Sequence, residues 1–291
     1  MMQLLFNIVI AASQYVLIAL SFSLIYFPGR FFHLAHGATI SLGAYMAWFL
    51  VIRLEMPLLL GSLCAILVCG GYGLVCELLV YQPMRSRRLP SLALLIASIG
   101  LLMITQNVIA IIFGNDTKTF GESLGQGIHQ LYSGYFTTNQ AWSVGLSAVL
   151  FIVISILIRY SFLGKSLRAV ASNPGLCSIW GISEKKTMIW AFLISSIIAG
   201  LTGVLSGLDI NFTPESGFNL LIYGIVAMII GGVGNQKGVL AGGLLIAVVQ
   251  QGVGYYIDTK WMDAVTYLFL IIFLVFVPLG FSGKLIPKTE I

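Results

Sequence analysis

Two histidines stand three residues apart in RFFHLAHGATISLGAY, residues 30–45, within a chain that is 58% hydrophobic and 9% charged. An imidazole can ligate a metal, relay a proton or hold a hydrogen bond, and in an apolar setting it is costly without a partner. Metal binding lacks a third ligand nearby: His129 belongs to another stretch, and Cys64, Cys69, Cys76 and Cys177 show no paired spacing. Proton relay wants carboxylates at membrane depth, yet the acidic residues cluster at the ends of apolar blocks. No nucleophile–base set is found either, so neither catalytic nor metal-binding residues are expected. Two readings of His36 stay open. In the first, a buried imidazole satisfied by a neighbouring helix pins a close approach at Gly37 and Gly43. In the second, it contacts a solute along a path whose other candidates are Gly37, Tyr45, Asn107 and Tyr223. His33, close to Arg30, reads as a hydrogen-bonding residue near the cytoplasmic end of its span.

The elements that must position these residues are membrane spans. Soluble domains carry about a quarter charged residues, and apolar runs long enough to cross a bilayer recur along all 291 residues. Apolar blocks lie near 1–26, 31–52, 57–80, 91–113, 141–158, 188–208, 218–233, 238–256 and 263–281. The first block lacks a basic leader and a small-x-small cleavage site, so it is read as a span and not a signal peptide. The expected fold is an all-α polytopic bundle of eight or nine transmembrane helices in one domain, 1–291, with an outer loop at 114–140. Block 31–52 and the 231–243 region are the places where a broken or re-entrant segment is most expected.

Basic residues in short loops mark the cytoplasmic side. Arg85, Arg87, Arg88, the segment 159–187 with Arg159, Lys165, Arg168, Lys185 and Lys186, the tail lysines Lys284 and Lys288, and Arg30 and Lys237 carry twelve of the fifteen basic residues. Glu77, Glu184 and Glu290 are the acids on that side. The opposite side holds Arg53, Lys118 and Lys260 against Glu55, Asp116, Glu122, Asp209, Glu215, Asp258 and Asp263. With nine crossings the N-terminus lies outside and the C-terminus inside. The basic balance reflects topology, not nucleic-acid binding.

Helices in lipid associate through small residues, and three ladders have four-residue spacing: Ala35, Thr39, Gly43, Ala47; Ser195, Ala199, Gly203, Gly207; and Gly234, Gly238, Gly242. In the 159–187 segment, Asn173-Pro174 supplies an N-cap and first helical residue, Leu176, Ile179 and Trp180 make an apolar stripe, and Gly181 ends the turn. Such a short amphipathic helix suits a partner's groove or the headgroup interface. The residues leave both open.

The motifs SLIYFPGRFFHLAHGATISLGAY (23–45), ELLVYQPMRSRRL (77–89), SIGLLMITQN (98–107), IRYSFLGKSLRAVASNPGLCSIWGIS (158–183), GGVGNQKGVLAGGLL (231–245) and FVPLGFSGK (276–284) resemble, in order and spacing, the shorter permease subunit of branched-chain amino-acid ABC importers. The wider family includes urea and sugar importers. The resemblance implies two cytoplasmic ATPases, a second homologous permease, a periplasmic binding protein, a multi-pass location in a bacterial inner membrane and no cofactor of the chain's own. The chain carries no GxxxxGK[ST] loop. It further implies that 159–187 is the ATPase-coupling segment, with Lys165, Arg168, Ala171, Asn173, Pro174, Gly175, Ile179 and Gly181 as its matching or docking positions. Two departures stand out: Ala38 replaces an acid common after the His-Gly pair, and Asn235 and Lys237 stand where Ser and Pro are usual. A path without fixed central charge suits leucine, isoleucine or valine, and also urea, short amides or other amino acids. An ion-coupled secondary transporter is the competing class.

Overall fold

The computed structural model describes residues 1–121, 127–131, 133–277 and 280–282. Glu122, Lys284, Lys288 and Glu290, with parts of the 276–284 motif, lie outside the described residues. In chain order the elements are α1 (Met2–Gly29), α2 (His36–Trp48), α3 (Leu58–Val75), α4 (Gln82–Ser86), α5 (Ser91–Phe113), β1 (Ile128–Leu131), β2 (Gly134–Thr137) and α6 (Thr138–Tyr160). There follow α7 (Phe162–Ser172), α8 (Pro174–Ile179), α9 (Glu184–Asp209), α10 (Ser216–Gly231), α11 (Gln236–Tyr256) and α12 (Met262–Phe276).

Among the described residues, seven helical stretches are long and apolar enough to cross a bilayer: Met2–Gly29, Leu58–Ser86, Ser91–Phe113, Thr138–Tyr160, Glu184–Asp209, Gln236–Tyr256 and Thr259–Phe276. The other two apolar blocks form shorter helices. Block 31–52 loses its first residues because α1 ends at Gly29, Arg30 takes φ 50°, and helix resumes only at His36. The helix α2 has 13 residues and continues into five π-helical residues, Phe49–Arg53. Block 218–233 becomes α10, 16 residues, or about 24 Å of rise against a hydrocarbon core of about 30 Å. Its end is set by Gly232 and Gly234, at φ 87° and 80°, a left-handed geometry that side chains disfavour. Gly234 is therefore a turn residue, not a rung on a helix face.

Within the expected outer loop 114–140, β1 and β2 pair antiparallel, Ile128 opposite Thr137 and Leu131 opposite Gly134, and α6 begins within its last residues. The helical architecture holds, with this one small sheet added among the described residues.

Two compact units emerge. One comprises residues 1–20, 121–153 and 222–282, the other 21–120 and 154–221. In the first, α10 and α11 are joined by the Gly232–Asn235 turn and meet through backbone. A Cβ on Gly231 or Gly238 would strike the other's carbonyl, and one on Gly242 would strike that of Ala227.

The second unit is built around α2, α3 and α9. A Cβ on Gly43 would overlap the backbone of Gly200, and one on Gly203 would overlap the carbonyl of Ile40. Gly207 faces Ala44, with the Ala44 Cβ 3.3 Å from where its own would be. Ala199, one position from Gly200, is fully buried. Two of the small-residue ladders thus meet at the α2–α9 crossing, where backbone approaches backbone.

Candidate functional site

The histidines anchor the second unit. His36 opens α2, and its Nε2 lies 2.9 Å from Ser21 Oγ on α1. Ser195 of α9 donates in turn to the Ser21 carbonyl at 2.6 Å, so three helices share one polar knot. His33, in the break before α2, places Nδ1 2.9 Å from the Tyr81 hydroxyl and packs on Phe192, ring centroids 5.1 Å apart. Both imidazoles are buried and their centroids are 5.8 Å apart. His36 Nδ1 and His33 Nε2 have no protein partner among the described residues. No cluster of three or more metal-ligating side chains occurs among the described residues.

Gly37 allows α2 to touch the start of α10, since a Cβ there would come within 2.9 Å of Phe218 Cα. One turn on, Ser41 Oγ donates to the Pro214 carbonyl at 2.7 Å and accepts from Gly217 N–H at 3.0 Å. Tyr45, fully buried, packs edge-on against Phe212 at 5.0 Å and against Phe113 at 5.5 Å. Asn107 is exposed on α5, where its Nδ2 donates to the Met103 carbonyl at 2.7 Å. Tyr223 belongs to the other unit. Its hydroxyl donates to Asp263, and its ring lies 5.2 Å from that of Tyr15, which itself donates to Gln250 Oε1. His36, Gly37 and Tyr45 thus share α2, Asn107 stands near the far end of α5, and Tyr223 joins a separate group of polar residues.

At the end the charge pattern assigns to the cytoplasm, Glu77 pairs with Arg85, and Glu184 lies 3.9 Å from Arg85 Nε. The Glu77 side chain is 0% exposed, and it sits in a π-helical run, Cys76–Tyr81, that joins α3 to α4.

The 159–187 segment folds into α7 and α8. Ser161 Oγ caps α7 by accepting from Gly164 N–H at 3.1 Å, and Asn173 Oδ1 caps α8 by accepting from Leu176 N–H at 3.1 Å. Each cap stabilises its helix by about 1 kcal/mol. Gly164 lies so close to the Ile158 carbonyl that no Cβ fits. Arg168 donates to the Ile158 and Arg159 carbonyls, satisfying acceptors that the end of α6 leaves open. Ala171 is buried, and its carbonyl accepts from Arg30 Nη2 at 2.6 Å. Lys165 points to solvent. Thus α7 is a strut folded back on α6.

By contrast α8 presents Leu176, Ile179 and Trp180 at 52%, 78% and 80% exposure, beside exposed Gly175. It ends in a Schellman-type closure: Ile182 N–H donates to the Cys177 carbonyl at 2.9 Å and Gly181 takes φ 74°. Ser21, Ser41 and Tyr81 escape a reading of the sequence, and Ser195 is legible there only as a small packing residue. Their only signal is a hydroxyl within an apolar run, which many lipid-spanning helices carry without consequence.

Apolar helices long enough to span and a small-residue helix crossing define the class: a polytopic α-helical membrane protein. The family described as "Branched-chain amino acid transport system / permease component" matches residues 4–275, and the chain belongs to it. It is 30% identical, over 99% of its length and 97% of the relative's, to a protein of Salmonella typhimurium named high-affinity branched-chain amino acid transport system permease protein LivH. A Pseudomonas aeruginosa protein, named high-affinity branched-chain amino acid transport system permease protein BraD, is 28% identical over 99% of this chain and 97% of its own. Among solved structures, one titled PsaBC from Streptococcus pneumoniae in complex with Fab superposes with a TM-score of 0.53. It covers 92% of this chain and 89% of its own at 12% identity, a likeness of fold alone.

Proposed function

We propose that this chain is a permease subunit of an ATP-driven importer of branched-chain amino acids, working with separate ATPases, a second homologous permease and a periplasmic binding protein. The observation that carries the reading is the family match across residues 4–275, which reaches into every described spanning helix. The exposed face of α8 supports ATPase docking: Leu176, Ile179 and Trp180 form an apolar knob too small to be a core and too exposed to be left in water. In this mechanism ATP-driven closure of the ATPases draws α8 inward, and α7, fixed to α6 by Arg168 and to the end of α1 by Arg30, carries the displacement to the spans. The chain supplies a path and no chemistry.

The test is uptake of labelled leucine into proteoliposomes holding this chain with the second permease and ATPases of its own transport system, ATP inside and binding protein outside. ATP-dependent uptake, suppressed by isoleucine and valine but not by urea or glutamate, is expected. Uptake of another solute would change the substrate, and uptake driven by an ion gradient without ATP would overturn the class.

A further inference from the structure

The second unit contains a polar cavity of about 380 Å³ between the end of α5 and the turn before α10, lined by Gln106, Asn107, Ala110, Asn115, Thr213, Pro214 and Glu215. We infer that this cavity is a receiving site for a free amino acid, in which Glu215 and Asn107 hold the α-ammonium while Gln106 and Asn115 donate to the α-carboxylate. The inference rests on the importer reading above, and it names a site for the cargo within this chain.

Three observations lead there. The first is chemical. Among the described residues the Glu215 carboxylate meets no cation in an ion pair, and no hydrogen bond engages the side-chain amides of Gln106 and Asn115. The Asn107 amide nitrogen is committed to Met103, which leaves its oxygen as an acceptor. One anion and one free acceptor therefore stand beside two sets of amide donors. A zwitterion needs that combination: acceptors for three N–H bonds at one pole and donors for an oxygen pair at the other. Urea would leave the carboxylate uncompensated, and a simple cation would leave the amides idle.

The second observation is rigidity. The strip 114–120 and the strip 210–215 pair through Lys118 and Phe212, whose backbones exchange hydrogen bonds of 2.9 and 3.0 Å. Trp48 Nε1 donates to the Thr119 carbonyl at 3.0 Å, and Ser41 holds Pro214 and Gly217 by hydrogen bonds. Phe212 is packed against Tyr45 and Phe120, ring centroids 5.0 and 5.9 Å apart. Ordering cost is thus already met before a ligand arrives.

The third is size. A cavity of about 380 Å³ lies within the range of small-molecule sites, and its aliphatic lining is confined to Ala110 and Pro214. It grips the backbone end common to all amino acids and leaves the side chain unread. Discrimination among side chains then falls to the binding protein, and this pocket serves as an unselective acceptor of what is delivered.

The test is equilibrium binding to the complete transporter in nanodiscs, without binding protein, with three probes: leucine, 4-methylpentanoate (no ammonium) and isoamylamine (no carboxylate). Wild type binds leucine more tightly than either analogue. Glu215→Gln weakens leucine and isoamylamine about tenfold and leaves 4-methylpentanoate unchanged, the loss expected of one charged hydrogen bond. Gln106→Ala with Asn115→Ala weakens leucine and 4-methylpentanoate and spares isoamylamine. All these side chains lie at an open cavity, so the variants fold, and thermal midpoints equal to wild type confirm it. Leucine binding insensitive to Glu215→Gln, or equal loss of all three probes, overturns the site. Failure of ATP-driven leucine uptake by the wild-type transporter would instead overturn the importer reading.

Discussion

At the scale of single residues, the histidines answer to geometry more than to chemistry. His36 ties α1 to α2 through Ser21, and Ser195 ties the same turn of α1 to α9. Replacing His36 with Ala removes one hydrogen bond and opens a void at a three-helix contact, a loss of about 1–3 kcal/mol. The expected result is a lower thermal midpoint of the purified transporter with an unchanged order of solute preference. Native stability with altered selection would show the imidazole touching cargo. The need for partners was legible in the sequence, because an imidazole in an apolar run must find one. Which hydroxyls supply them was not, since about two turns of α1 and the break at 30–35 separate Ser21 from His36. Arg168 is a clearer case of what sequence hides. Its family position suggested contact with a partner, yet its guanidinium is engaged by the carbonyls at the end of α6.

At the scale of elements, α7 and α8 divide labour. One is folded onto the end of α6 and buries Leu167 and Val170, whereas the other holds its apolar residues in solvent. Ile179→Glu places a charge on that exposed face, where it touches little within the chain. Membrane insertion and thermal stability are therefore expected to stay as in wild type, while co-purification of the ATPases falls steeply. Unimpaired co-purification would rule out α8 as the docking element. The start of α8 could be read from Asn173-Pro174 and its end from Gly181, because caps and left-handed glycines act locally. The hairpin at 128–137 could not, because short polar strands lack the apolar alternation that announces a half-buried sheet. Nor could the π-helical runs at 49–53 and 76–81, which leave hydropathy unchanged.

At the scale of the whole molecule, hydropathy foretold the helical class but blurred the tally of crossings. The block at 31–52 loses its first residues to the backbone break after Arg30, and the block at 218–233 forms a helix of only 16 residues that stops at the Gly232 turn, so hydropathy marks both without showing whether they cross. The two compact units were also hidden, for no linker or change of composition divides them, and α1, α6 and α10 each contribute residues to both. The segregation of basic residues predicts orientation. In a variant whose four cysteines are replaced by Ala, Arg87→Cys should resist a membrane-impermeant maleimide added to intact cells, and Asp258→Cys should react. The reverse pattern would invert the topology. Three helical spans, Ser91–Phe113, Thr138–Tyr160 and Thr259–Phe276, keep most of their surface outside the described contacts, as lipid or a second subunit would require.

The crossing of α2 and α9 bears on temperature. Gly43, Gly200, Gly203 and Ala44 possess no rotamers to freeze, so assembling this contact costs little side-chain entropy. Its cohesion comes from dispersion between backbones in a medium without water, so the steep thermal dependence of apolar burial is absent there. Of all the contacts in the second unit, this is the one whose strength should vary least between a cold cell and a warm one.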